Sequence, residues 1–198
     1  MTETTRYWAA GLFRGTAAVL AGTGTLFLPS IASTATTASP LSTSTVCLAS
    51  FLVIDAAIVG ATAWQAGGSR HQRAVMRGQS VLGGVVAASL LTMLATHVST
   101  TWLLGIASVP ALASAMTALA TAACPAARQR ASGCYLSAAI SLIAASILLG
   151  SAWLGHGFAA WSINLYLCLV GAELIVLSGS MLASQDGSLI TESEGATI

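Results

Sequence analysis

The sequence predicts an all-α integral membrane bundle of six transmembrane helices, arranged as three helical hairpin repeats. Three observations carry that prediction. Hydrophobic residues make up 56% of the 198-residue chain. Charged residues make up 7%, against roughly 25% in an ordinary globular protein, too few to cover a soluble surface. The apolar residues also gather into six stretches of near-membrane length, separated by short polar breaks.

A helix rises about 1.5 Å per residue, so a hydrocarbon core of about 30 Å takes roughly 20 apolar residues to cross. The stretches run over residues 8–28, 47–64, 79–96, 102–123, 135–154 and 161–182, within a transmembrane domain of residues 1–184. Residues 185–198 form a polar, acidic tail. Trp8, Trp64, Trp102, Trp153 and Trp161 all fall near the ends of these stretches, where indole rings favour the membrane interface. Residues 31–45, rich in Ser and Thr, are expected to be a mobile outer loop. The first stretch is too long for a signal peptide and is interrupted by Arg14, so it is expected to stay as a helix.

Arginines set the orientation. Lysine is absent; the break at 65–78 holds Arg70, Arg73 and Arg77, and the break at 125–133 holds Arg128 and Arg130. The breaks at 30–46, 97–101 and 155–160 hold none. Positive-inside bias therefore places both termini in the cytoplasm of a cell whose plasma (inner) membrane holds the protein. The lipid bilayer is the expected partner, with self-association or a membrane-complex partner beside it. Small residues at four-residue spacing, Gly11 with Gly15 and Gly83 with Ala87, mark helix faces on which backbones can approach closely.

The helices repeat in pairs. Arg14-Gly15-Thr16-Ala17-Ala18-Val19-Leu20-Ala21-Gly22 aligns with Arg77-Gly78-Gln79-Ser80-Val81-Leu82-Gly83-Gly84-Val85, and a weaker third copy starts at Gly133. Asp55, Ser114 and Glu173 lie at evenly spaced centres of the second helices. With Trp8, Arg14-Gly15, Ala18, Gly22 and Pro29 opening the chain, and Arg77-Gly78 with its Leu-Gly-Gly run opening the second pair, the sequence resembles the HdeD-like family of bacterial inner-membrane proteins over most of its length. The resemblance implies six spanning helices and a role in acid or general stress resistance, with no catalytic residues to carry over. The third copy lacks the Arg-Gly start, and the Ser/Thr-rich segment after Pro29 also departs from the pattern.

Arg14, Asp55 and Glu173 are the three charged residues inside apolar runs. Asp55 lies nine residues before Trp64 and Glu173 nine before Leu182, which places both carboxylates at one depth. An unpaired charge there costs a few kcal/mol or more, so these groups are expected to face inward and pair. The expected links are Arg14 with Asp55 and Arg77 with Glu173. They serve either as structural ties between helices or as a proton-responsive site, since an apolar setting and a nearby arginine govern the charge of a carboxyl.

His97 and His156 fall in outward breaks, where they would charge as external pH falls; the alternative is that they are plain interface residues. Cys47, Cys124, Cys134 and Cys168 form no CxxC pair and behave as small hydrophobes. The sequence holds no GxSxG, HExxH or phosphate-binding loop, and no basic, aromatic-laced stripe for nucleic acid. No enzyme activity, cofactor or metal is therefore expected. The function predicted is acid or envelope stress tolerance, with a small-solute or proton-linked transporter or channel subunit as the alternative.

Overall fold

The structure, a computed structural model, describes residues 3–32, 39–65, 70–123, 131–154 and 156–195, with side chains for residues 9–26, 39–64, 70, 73–123, 132–154 and 158–179. The described residues form six α-helices and no strand: α1 (Glu3–Ala32), α2 (Pro40–Gln65), α3 (Arg70–Ala95), α4 (Thr100–Ala122), α5 (Ala131–Leu154) and α6 (His156–Gly195). Five of them, α2 to α6, contain stretches long and apolar enough to cross a membrane. In α1 the arginine at position 14 lowers the hydropathy of an otherwise apolar run.

In hydrocarbon a backbone must satisfy its own N–H and C=O groups, and a helix does so within one segment. The many serines and threonines do not break these helices, because their hydroxyls bond back to the preceding turn. Thr45 donates to the Leu41 carbonyl at 2.7 Å, Thr92 to Ala88 at 2.8 Å and Ser146 to Leu142 at 2.8 Å. This explains two departures from the predicted boundaries. Residues 40–46, predicted as part of an outer loop, already belong to α2, with Pro40 at its first position and the Ser39 hydroxyl capping the Ser42 N–H at 3.2 Å. The arginine-bearing break before residue 79 is also helical, from Arg70 onward. Hydropathy marks where hydrocarbon ends; capping decides where a helix ends. At the other end of the chain α6 continues past the apolar run to Gly195.

The helices form a ring in chain order. Each touches the next, and α6 closes the ring against α1. The hairpin pairs α1–α2, α3–α4 and α5–α6 are all in contact, yet the closest packing falls between them, at α2–α3, α4–α5 and α1–α6. Helix α6 is the hub, since it touches α1, α2, α4 and α5 and misses only α3.

The α1–α6 contact is built on glycine. A Cβ added at Gly15 would sit 2.8 Å from the Gly171 carbonyl oxygen, and one added at Gly171 would sit 2.7 Å from the Gly15 carbonyl oxygen. Gly22 lies equally close to the Asn164 carbonyl and Gly11 to Ser178, so the two antiparallel backbones touch along most of the described length of α1. The α2–α3 pair uses the same device more loosely, with Ser80 donating to the Ala56 carbonyl at 2.6 Å beside Gly60.

The apolar core lies toward the end of the bundle at which α2, α4 and α6 begin. There Leu48, Leu52, Leu90, Leu104, Leu148, Ile163 and Leu167 pack together with Ala18, Ala107 and Ala144. The opposite end, where α1 begins, holds the charged groups.

Gly171→Ala is expected to destabilise the protein by about 1–3 kcal/mol, because the new methyl meets backbone that cannot yield. Gly84→Ala, where nothing lies within 4 Å of an added Cβ, should leave stability unchanged or slightly raised. Thermal unfolding of both variants in one detergent checks the contrast, and equal unfolding temperatures would refute the α1–α6 contact.

Candidate functional site

The three intramembrane charges lie in one layer. Arg14 on α1 points to α2 and places its Nε 2.5 Å from Asp55 Oδ1, with 24% and 22% of the two side chains exposed. This is the single ion pair among the described residues. Its level on α1 matches that of Gly15, which faces residues 171–175 of α6, so Glu173 stands in the same layer.

The predicted link between Arg77 and Glu173 does not form. Helix α3 is the one helix that α6 does not touch, and the Arg77 guanidinium instead lies over the Trp64 ring, 5.8 Å from its centre. Glu173 turns the other way, to α5. Its Oε1 accepts a short hydrogen bond from the Ser137 hydroxyl, and its Oε2 lies 3.4 Å from that of Ser141. Depth could be counted along the sequence. Which helix stood beside α6 could not, and the repeat placed Arg77 by analogy with Arg14.

Tyr166, two turns before Glu173 on α6, is 3% exposed and close enough to Asp55 and Glu173 for both carboxylates to act on it electrostatically. Further along α6, Asn164 accepts a hydrogen bond from Thr25 of α1 at 2.7 Å, and Ser162 pairs with Ser151 of α5 at 2.8 Å. Gln79 of α3 donates to Thr117 of α4 at 3.2 Å. Every buried side-chain nitrogen or oxygen among the described residues has a partner. The sequence did carry a signal for the missed groups. Ser137 and Ser141 stand four apart in an apolar run, hence on one face, and Asn164 is an amide inside a predicted span.

Of the predicted outer histidines, His156 begins α6 and its side chain lies outside the described residues. His97 is exposed and has φ 54°, the left-handed conformation. It ends α3 in the position that glycine usually takes. Its own N–H bonds to the Leu94 carbonyl at 3.4 Å and that of Val98 to Met93 at 3.1 Å, the paired bonds of a Schellman cap. His97, Ser39, Ser42 and Thr100 line an open cleft of about 200 Å³ there, beside Met93 and Leu103. Cys47, Cys134 and Cys168 are free and half-buried, and no three metal-ligating side chains meet among the described residues.

The chemistry of the layer is that of charge: one fixed ion pair, and one carboxyl held by hydroxyls. Compared with protein families, with curated proteins and with solved structures, the chain shows no significant match to any of them.

Two outcomes follow from these geometries. Arg14→Gln or Asp55→Asn alone should cost about 1.5–3 kcal/mol, and the double variant less than the sum of the two. A double-mutant cycle on unfolding in detergent measures the coupling, and strict additivity would remove the pair. His97→Gly should raise stability by up to about 1 kcal/mol, whereas His97→Val should lower it, since a β-branched residue strains in this conformation.

Proposed function

We propose that the chain is a non-enzymatic, multi-pass protein of a bacterial cell membrane, with both termini in the cytoplasm. In this proposal it supports acid or envelope stress tolerance as HdeD-like proteins do, with Glu173 as the group that answers to protons. The observation that carries the proposal is the pair of hydroxyls around Glu173. A hydroxyl both donates and accepts, so Ser137 and Ser141 can bond the carboxylate and, after turning, the protonated acid. Glu173 can gain or lose a proton without orphaning a buried group. Asp55 differs in its surroundings, because it faces the Arg14 guanidinium, which carries a charge of its own and only donates. The layer thus sets an arginine–carboxylate pair beside a carboxyl held by hydroxyls. The latter sits on the hub helix, where a change in Glu173 bears directly on the α5–α6 contact.

A second proposal, proton-linked or small-solute transport, draws on the polar groups spaced along α6 from Ser162 through Asn164 and Tyr166 toward Glu173. Chains of such groups are typical of intramembrane proton paths.

Acid survival of a deletion strain carrying wild type, Glu173→Gln or Asp55→Asn tests the first proposal. Deletion should lower survival, wild type should restore it, and Glu173→Gln should restore it poorly even at equal protein level. Full rescue by Glu173→Gln would remove the proton-responsive role, and a deletion without effect would remove the stress role. Proton flux into liposomes that disappears in Glu173→Gln would favour transport.

A further inference from the structure

Arg70, Arg73 and Arg77 open α3 at three- and four-residue spacing, so they share one face of the helix. No described carboxylate neutralises them. Asp55 is taken by Arg14, and Glu173 is on the helix that α3 does not touch. Arg77 is the unusual member. The apolar span of α3 begins at Arg73, and Arg77 lies four residues, about 6 Å, further in. Its guanidinium is over the indole of Trp64, the last residue of the α2 span, whose side chain is 83% exposed. Arginine over tryptophan is attracted to the ring face, which holds this cation outward at the edge of the hydrocarbon.

Below Arg77 the same face of α3 continues as Val81, Gly84 and Val85. Nothing lies within 4 Å of a Cβ built on Gly84, and the two valines are 66% and 57% exposed. The face therefore passes from a cationic rim to an apolar wall. A phosphate group on a hydrocarbon chain matches that order of features, with charge above and methylenes beneath.

We propose that this foot of α2 and α3 binds an anionic phospholipid. Its phosphate lies between Arg73 and Arg77, and its acyl chain lies over Val81, Gly84 and Val85. Trp64 holds Arg77 in place by its ring and closes one side of the site. A zwitterionic lipid offers the same phosphate but carries its own ammonium, which the three arginines repel. The site selects by net charge.

Native mass spectrometry of the full-length protein, incubated in detergent with equal amounts of phosphatidylglycerol and phosphatidylcholine, tests the proposal. Wild type should retain phosphatidylglycerol in preference. Arg73→Gln with Arg77→Gln should reduce that preference by about fivefold per arginine. The Arg73→Lys and Arg77→Lys pair should keep most of it. Equal retention of the two lipids by wild type overturns the proposal, and this arm stands even if the glutamine variant does not fold. So does an unchanged preference in the glutamine variant. Release of phosphatidylglycerol by inorganic phosphate at matched concentration also overturns it, since the site would then take a free anion.

Discussion

Among the described residues, the first helix and the sixth meet backbone to backbone at Gly15 and Gly171, where each occupies the volume a side chain would need on the other. The rest of the bundle depends on it. A chain of six antiparallel helices packs readily onto neighbours in sequence, because short connections hold them together. Nothing in connectivity brings the first helix to the sixth. Within a bilayer there is no hydrophobic drive to do so either, since lipid tails are as apolar as the helix faces. Close van der Waals contact and polar bonds must supply the attraction. Glycine on both sides permits the first, and Thr25 with Asn164 supplies the second.

Polar links between helices follow the ring. Arg14–Asp55 joins α1 to α2, Ser80 joins α3 to the α2 backbone, Gln79–Thr117 joins α3 to α4, and Glu173 with Ser137 and Ser141 joins α6 to α5. Helices α4 and α5 also pack closely, and each buries alanines in the core, Ala107 and Ala111 on α4 and Ala144 and Ala145 on α5. The division between charged layer and apolar core has an electrostatic consequence. The charges share one layer, while the other half of the bundle is packed with apolar side chains. Ionisable groups distributed along the whole bundle would each need a partner at its own depth. One layer lets α1, α2, α5 and α6 meet that demand together.

Helix number and the approximate spans were legible because they follow from composition and from the length of apolar runs. The edges were not. Pro40 and Ser39 start α2 inside a stretch whose hydropathy is that of a loop, and a cap is a matter of a few local hydrogen bonds. The ion pair was legible because Arg14 and Asp55 are exceptions in apolar runs and counting residues placed them at compatible depths. Counting gives height along the membrane normal but no direction around the ring. Arg77 and Glu173 have compatible heights and stand on helices that never meet. The serine partners of Glu173 were overlooked for another reason. Serine is so common in these spans that two of them at one spacing did not stand out from the hydroxyls that merely bond back to their own helix.

Helix α6 touches four of the other five, and it is also the last of the six to be synthesised. Those two facts together govern biogenesis. While α1 to α5 enter the bilayer, the glycine face of α1 and the inward faces of α2, α4 and α5 have only lipid or the insertion machinery against them. Arg14 and Asp55 can already neutralise each other at that stage. Glu173 arrives later, on a helix whose serine partners in α5 have preceded it by one turn of the chain. Until the sixth helix is in place, four of the others lack a neighbour that they touch in the finished bundle.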